Sequence, residues 1–273
     1  MRKHWVCAVA GFALLLAGGW SSVAIAQENR LETSPRHLEW VDVEQGDRKV
    51  KCFVAYPEVP DKAQAVIVIH EIFGLTDWVR GVADQLAEAG YIAIAPDLLS
   101  GMGPDGGGTD SFGGGDGVRG EIRNLPADQI TADLDAVAKY VTALPAADGN
   151  LTVCGFCWGG GQTFRYATNN PDLKAAFVFY GSAPDDKAAI ERIKCPVYGF
   201  YGENDARINA TLPKTEEMMK AAGKTFEPVI YAGAGHGFLR AGELTTDPSD
   251  PNRKAHDEAW ERWKKILAGL DGK

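Results

Sequence analysis

Leu151-Thr-Val-Cys-Gly-Phe-Cys157-Trp-Gly-Gly-Gly161 joins a short apolar run to a string of glycines, with a cysteine between them. The run Leu151–Cys154 has the composition of a buried strand, and Gly159 to Thr168 follows as a helix. So short a passage from strand to helix is strained, and side chains at Gly155 or Gly159 would collide with the adjoining strand and helix. Gly155-Phe-Cys-Trp-Gly159 therefore reads as a G-x-nucleophile-x-G turn with Cys157 at its apex. The positive end of the helix dipole at that point favours a thiolate. Two other readings compete. One is a structural cysteine in a glycine-rich turn. The other is a redox pair, because Cys154-Gly-Phe-Cys157 is also C-x-x-C. Against the redox reading, Cys154 belongs to the buried strand and the motif lies in mid-sheet, not in the chain's first βαβ unit.

Outward from this turn the chain alternates strands and helices. Ala65-Val-Ile-Val-Ile69 is a continuous apolar run, as in a strand covered on both faces. Asp77 to Ala89 is an amphipathic helix stopped by Gly90, and Tyr91 to Ala95 is the next buried strand. Helices are expected at 127–144, 213–222 and 253–268, and strands at 175–180, 197–201 and 226–231. Before them, 37–43 and 49–56 alternate apolar and polar residues around Gln45-Gly-Asp47, the pattern of an antiparallel edge hairpin. The fold class is therefore α/β, a doubly wound, mostly parallel sheet with an N-terminal antiparallel edge hairpin. Ser100 to Gly120, rich in glycine, reads as a long surface loop, with a flap over the site as its functional reading.

A cysteine nucleophile needs a base and an orienting acid. His236 lies in Ala232-Gly-Ala-Gly-His-Gly-Phe238, a glycine-flanked loop beyond the last strand. His256 falls in the final polar helix and is expected at the surface. Asp205 ends Tyr201-Gly-Glu-Asn-Asp205, a loop at a strand's C-terminal end, with Glu203 as the rival acid. All three groups sit at C-terminal strand ends, where open α/β sheets bind ligands. His70-Glu-Ile-Phe-Gly-Leu75 follows another such end, which makes the backbone N–H groups of Ile72 and Trp158 the expected oxyanion donors.

Glu71-Ile-Phe-Gly74, Ala95-Pro-Asp-Leu98, Gly155-Phe-Cys-Trp-Gly-Gly160, Gly202-Glu-Asn-Asp205 and Gly235-His-Gly-Phe238 with Arg240 together resemble the dienelactone hydrolase family, over nearly the whole chain beyond residue 26. The resemblance implies the α/β-hydrolase fold and a Cys157-His236-Asp205 triad. It implies that Glu71 contacts the nucleophile and helps to ionise it. It makes Arg240 a binder of a substrate carboxylate, with Arg119 or Arg123 as candidates for a second arginine. Where the family often has serine after the histidine, this chain has Gly237. The expected activity is hydrolysis of a carboxylic ester or lactone through an acyl-enzyme, on a small-molecule substrate that can carry a carboxylate. A general carboxylesterase for uncharged esters is the alternative, and an exported thiol-redox or binding protein on the same fold is a more distant one.

The whole chain has 273 residues and a formal charge of −9. Arg2 and Lys3, the apolar run Val6 to Ala17 and the Ala24-Ile-Ala26 site read as a secretory signal cleaved near Ala26. Residues 27–273 are then a single domain, periplasmic or secreted, with no membrane segment after cleavage. The acidic balance disfavours nucleic acid as a partner. No metal-ligand spacing and no nucleotide motif occurs, so neither metal nor cofactor is expected. A monomer is expected. The polar stretch to about Pro35 reads as a poorly ordered terminus.

Overall fold

In the run Ala65–Ile69, alternate side chains face opposite ways and every position is buried, so this strand needs a cover on both faces. The computed structural model, which describes residues 30–113 and 115–270, supplies both. Val66 and Val68 pack with Trp78, Val82 and Leu86 on one face, beside Trp260 and Trp263. Ala65, Ile67 and Ile69 pack with Leu134, Val137 and Phe164 on the other.

The sheet has eight strands: β1 Leu38–Gln45, β2 Arg48–Ala55, β3 Ala63–Ile69, β4 Ile92–Pro96, β5 Ala147–Phe156, β6 Ala175–Phe179, β7 Val197–Gly202 and β8 Phe226–Tyr231. Their order is β1-β2-β4-β3-β5-β6-β7-β8. β1 and β2 form the expected hairpin, with Val41 opposite Cys52, and β2 runs antiparallel to β4. From β4 to β8 every pairing is parallel. The helices are α1 Asp77–Glu88, α2 Gly115–Asn124, α3 Ala127–Thr142, α4 Trp158–Ala167, α5 Lys187–Arg192, α6 Ala206–Asn209, α7 Leu212–Ala221, α8 Phe238–Glu243 and α9 Pro251–Leu270. From β3 the chain steps outward to β4, then returns across β3 to β5. The β3/β5 junction is thus the topological switch point, where a crevice opens at the C-terminal strand ends.

Three expectations need correction. Ser100 to Gly120 is not an unstructured loop. It holds 3₁₀ turns at Pro104–Gly106 and Thr109–Phe112 and the start of α2, whose buried residues Val118 and Ile122 are four apart on one face. The surrounding glycines hide that short apolar stripe from a composition-based reading. The N-terminal segment from Arg30 is likewise fastened: Arg30, Ser34 and Arg36 all reach the fully buried Asp84 of α1. His256 is buried, not on the surface, because Gly242 lets α8 lie against α9; a Cβ there would come within 2.5 Å of the His256 Cβ. The expected signal segment, residues 1–26, lies outside the described residues. Among those described, no helix is long and apolar enough to cross a membrane.

Candidate active site

The switch point is built by close packing of backbone. Cys157 stands between β5 and α4 with φ +56° and ψ −115°, a conformation that a non-glycine residue rarely holds. It is kept there on three sides. Its N–H donates to the Phe179 carbonyl at 3.0 Å. A Cβ on Gly159 would fall within 3.0 Å of the backbone of Ile69 and His70, and one on Gly160 would meet the Phe179 carbonyl at 2.5 Å. The glycines therefore let α4 press against β3 and β6, and that pressure raises the thiol into the crevice.

His236 Nε2 lies 3.1 Å from Cys157 Sγ, and its Nδ1 lies 2.5 Å from Asp205 Oδ2. Asp205 is buried and also caps α6 by accepting from the Ile208 N–H. Glu203, the rival acid, is exposed and accepts from the Gly233 N–H at 2.8 Å, so it braces the histidine loop and leaves the ring to Asp205. The N–H groups of Trp158 and Ile72 both donate towards Cys157 Sγ. The two expected oxyanion donors thus converge on the Cys157 sulfur.

The thiol is nevertheless pushed above its ordinary value. Burial is the main cause and the Glu71 charge the second; the two amides and Arg207 oppose them. The helix-terminus effect expected from sequence is present but outweighed, so the resting group is a neutral thiol. Glu71 is 3% exposed and pairs with Arg240, whose Nε lies 3.1 Å from Oε2. Burial pushes the Glu71 carboxyl up to about 7, although Arg240 pulls it down. Arg240 thus reaches across to the oxyanion loop from its own segment. Glu243 accepts from Gln85 and lies 3.5 Å from His256.

Arg119 and Arg240 both lie over the ring of Phe73, at 5.2 and 5.1 Å from its centroid. Arg123 is exposed in the last turn of α2. Of the two candidates, Arg119 is therefore the one brought to the oxyanion loop. Cys154 is fully buried, its thiol held well above the usual range by burial, and the described cysteines are all unpaired.

Sequence reasoning missed several residues around the site. His70, fully buried, stacks on Trp158 at 5.5 Å and fixes the oxyanion loop. The Leu98 N–H donates to its Nε2, which leaves the proton on Nδ1 to reach the Glu71 carbonyl at 2.8 Å. Thr109 and Asp97 tie the glycine-rich segment to the same loop. Phe73 carries the two arginines, and Tyr180 lies edge-on to His236 at 5.1 Å. Each is an ordinary strand-end or loop residue by type, and only the fold brings them together. Among the described residues no cluster of His, Cys, Asp or Glu has the arrangement of a metal site.

A mostly parallel sheet with this strand-turn-helix at its switch point is the α/β-hydrolase fold. Residues 50–270 match the sequence model of the dienelactone hydrolase family. The chain is 33% identical over 240 residues to a protein of Salmonella typhimurium named "Putative carboxymethylenebutenolidase", covering 84% of this chain and 86% of that one. It is 33% identical over 210 residues to a protein of the same name from Methylorubrum extorquens, covering 72% and 71%. A crystal structure of a "Putative Dienelactone Hydrolase" from Klebsiella pneumoniae superposes with a TM-score of 0.75 at 28% identity, covering 85% of this chain and 98% of that one. The chain belongs to the dienelactone hydrolase family.

Proposed function

We propose that this protein hydrolyses a carboxylic ester or lactone through a Cys157 acyl-enzyme, preferring substrates that carry a carboxylate. The observation that carries the reading is the hydrogen-bonded series Cys157 Sγ, His236 and Asp205 at the switch point. His236 Nε2 takes the thiol proton and the sulfur attacks the carbonyl carbon. The Ile72 and Trp158 N–H groups then hold the oxyanion. Collapse expels the alkoxide or enolate, which His236 protonates. Water, deprotonated by the same nitrogen, releases the acid and restores the thiol.

Arg240 and Arg119 on the Phe73 ring offer two guanidinium groups to a substrate carboxylate. Engaging Arg240 loosens its pair with Glu71. Without the Arg240 charge to hold it down, the Glu71 carboxyl is pushed further up and takes up a proton from solvent, and the charge that opposes the thiolate disappears. Binding of an acidic substrate is thereby coupled to activation of the nucleophile. The fully buried Cys154 gives dithiol exchange no accessible second sulfur.

Cys157→Ala is expected to lower turnover of an acidic lactone by several orders of magnitude, as loss of a triad member does, while Cys154→Ala retains most of it. Equal losses from the two would reject the assignment. Export completes the reading: the mature chain starts near Gln27 in the periplasm or medium. N-terminal sequencing of extracytoplasmic protein tests it, and an intact Met1 would reject it.

A further inference from the structure

Tyr180 follows β6 immediately, in a left-handed conformation with φ +41° that a bulky side chain seldom adopts. It is fixed there because the adjoining Gly181 packs so closely on Gly160 and Gly161 that a Cβ would have no room. The residue is fully buried, and its hydroxyl has no hydrogen-bond partner. An orphaned hydroxyl in a sealed site is a standing cost to stability. Its surroundings are those of the active site. The ring is edge-on to His236 and to Phe238, and the charges it feels most are those of Glu71, Arg240 and Cys157. Burial and the Glu71 charge keep the phenol protonated at neutral pH. It is therefore a protonated donor in the active-site cluster, against His236 and in the field of Glu71, the carboxyl group that pairs with Arg240.

We infer that the Tyr180 hydroxyl is the positioning residue that receives Glu71 when an acidic substrate draws Arg240 away. This rests on the carboxylate-binding role of Arg240 proposed above. Without a second donor, the exchange would strand Glu71 buried and unpartnered, and substrate binding would bear that penalty. A carboxyl group keeps one oxygen able to accept in both its ionised and its protonated form, so the hydroxyl serves Glu71 before and after it takes up a proton. The unpaired state of the hydroxyl at rest is then the counterpart of its use in the complex. In this role Tyr180 acts through Glu71 and not on the reacting atoms.

The test is Tyr180→Phe in the full chain, which removes one oxygen and keeps the ring against His236. Two substrates matched in size, one acidic and one neutral, are compared in kcat and KM separately. The expected result is a fall of about tenfold in the acidic-to-neutral ratio of kcat/KM, the size of one lost buried hydrogen bond, carried by KM. The melting temperature should hold or rise, since an unpaired hydroxyl is gone. In a Glu71→Gln background the same substitution should add little to the loss. Equal losses on both substrates would mean that the hydroxyl serves His236, and no loss on the acidic substrate would mean that it serves nothing; either overturns the inference. The underlying reading fails by a separate sign: wild-type protein that does not distinguish the two substrates, or whose Arg240→Ala variant keeps the wild-type ratio.

Discussion

Glu71 is the residue at which burial and charge compete most openly. Its carboxyl stands at about 7 against an ordinary 4.5. Between those values the folded protein binds more protons than the unfolded chain, so this group stabilises the fold at low pH and that contribution is lost as pH rises through about 7. The shift corresponds to about 3 kcal/mol. Glu71→Gln removes the titration. The difference in stability between variant and wild type should therefore move by about 3 kcal/mol in the variant's favour from below pH 4.5 to above pH 7. Thermal melts across that range measure it, and a difference that stays level would show that Glu71 does not titrate there. The arginines give a second prediction. Arg240→Ala should weaken turnover of an acidic lactone by about 1–3 kcal/mol, the range for hydrogen bonds to charged groups, and a neutral ester of the same size much less. Arg123→Ala, on an exposed side chain, should leave the ratio of the two specificity constants where it was. A shift in that ratio from Arg123→Ala would show that α2 presents the wrong arginine to the site.

At the scale of elements, the site depends on how the glycine-rich segment is fastened to the oxyanion loop. Thr109 Oγ1 accepts from the Leu75 N–H at 3.1 Å and donates to Asp97 Oδ1 at 2.7 Å, while its own N–H reaches Asp97 Oδ2 at 2.7 Å. Gly74, at φ +76°, leaves the space that the threonine side chain fills. Thr109→Val keeps the shape and strands both partners, which should cost about 2 kcal/mol. Because Leu75 ends the loop that carries the Ile72 N–H, kcat should also fall, by about tenfold and short of the loss of a whole oxyanion donor. Melting temperature together with kcat tests this, and an unchanged kcat would separate the segment from catalysis. This fastening explains where the sequence was legible. The parallel strands were visible because Ala65–Ile69 and its neighbours are apolar without interruption, Cys157 and Asp205 because each follows such a strand, and His236 because its loop is flanked by glycines. Thr109, Asp97 and Tyr180 gave no signal, since their meaning lies in contacts across 12 to 34 residues of chain or more. The buried stripe of α2 was masked by glycine, and His256 by the charged residues nearby, Arg253, Lys254, Asp257 and Glu258.

Across the whole molecule, the N-terminal arm joins the hairpin edge to the helix layer. Asp84 of α1 has no exposed side-chain surface. It accepts from Arg36 Nε and Nη2, both at 2.7 Å, from Ser34 at 2.6 Å, and pairs with Arg30 at 2.7 Å. Burial alone would raise its carboxyl; Arg36, Ser34 and Arg30 together hold it below the usual value. A depressed carboxylate contributes stability that is present at neutral pH and is lost as pH falls through its own range. Cleavage near Ala26 would remove Arg2 and Lys3, taking the formal charge from −9 to −11, yet would leave all three partners in place. A chain beginning at Gln27 should therefore melt with the full-length protein. A chain beginning at His37 strands a buried carboxylate and should lose about 3–5 kcal/mol, on the order of 10 °C for a protein of this size. The gap between the two chains should close in acid, where protonation relieves Asp84 in the shorter one, and Asp84→Asn in the shorter chain should recover part of the loss at neutral pH. Melting curves of the two chains at neutral and acid pH decide it. Identical curves would mean that the arm lies on the surface without holding it, and a gap that persists unchanged in acid would assign the loss to packing, with the Asp84 charge playing no part.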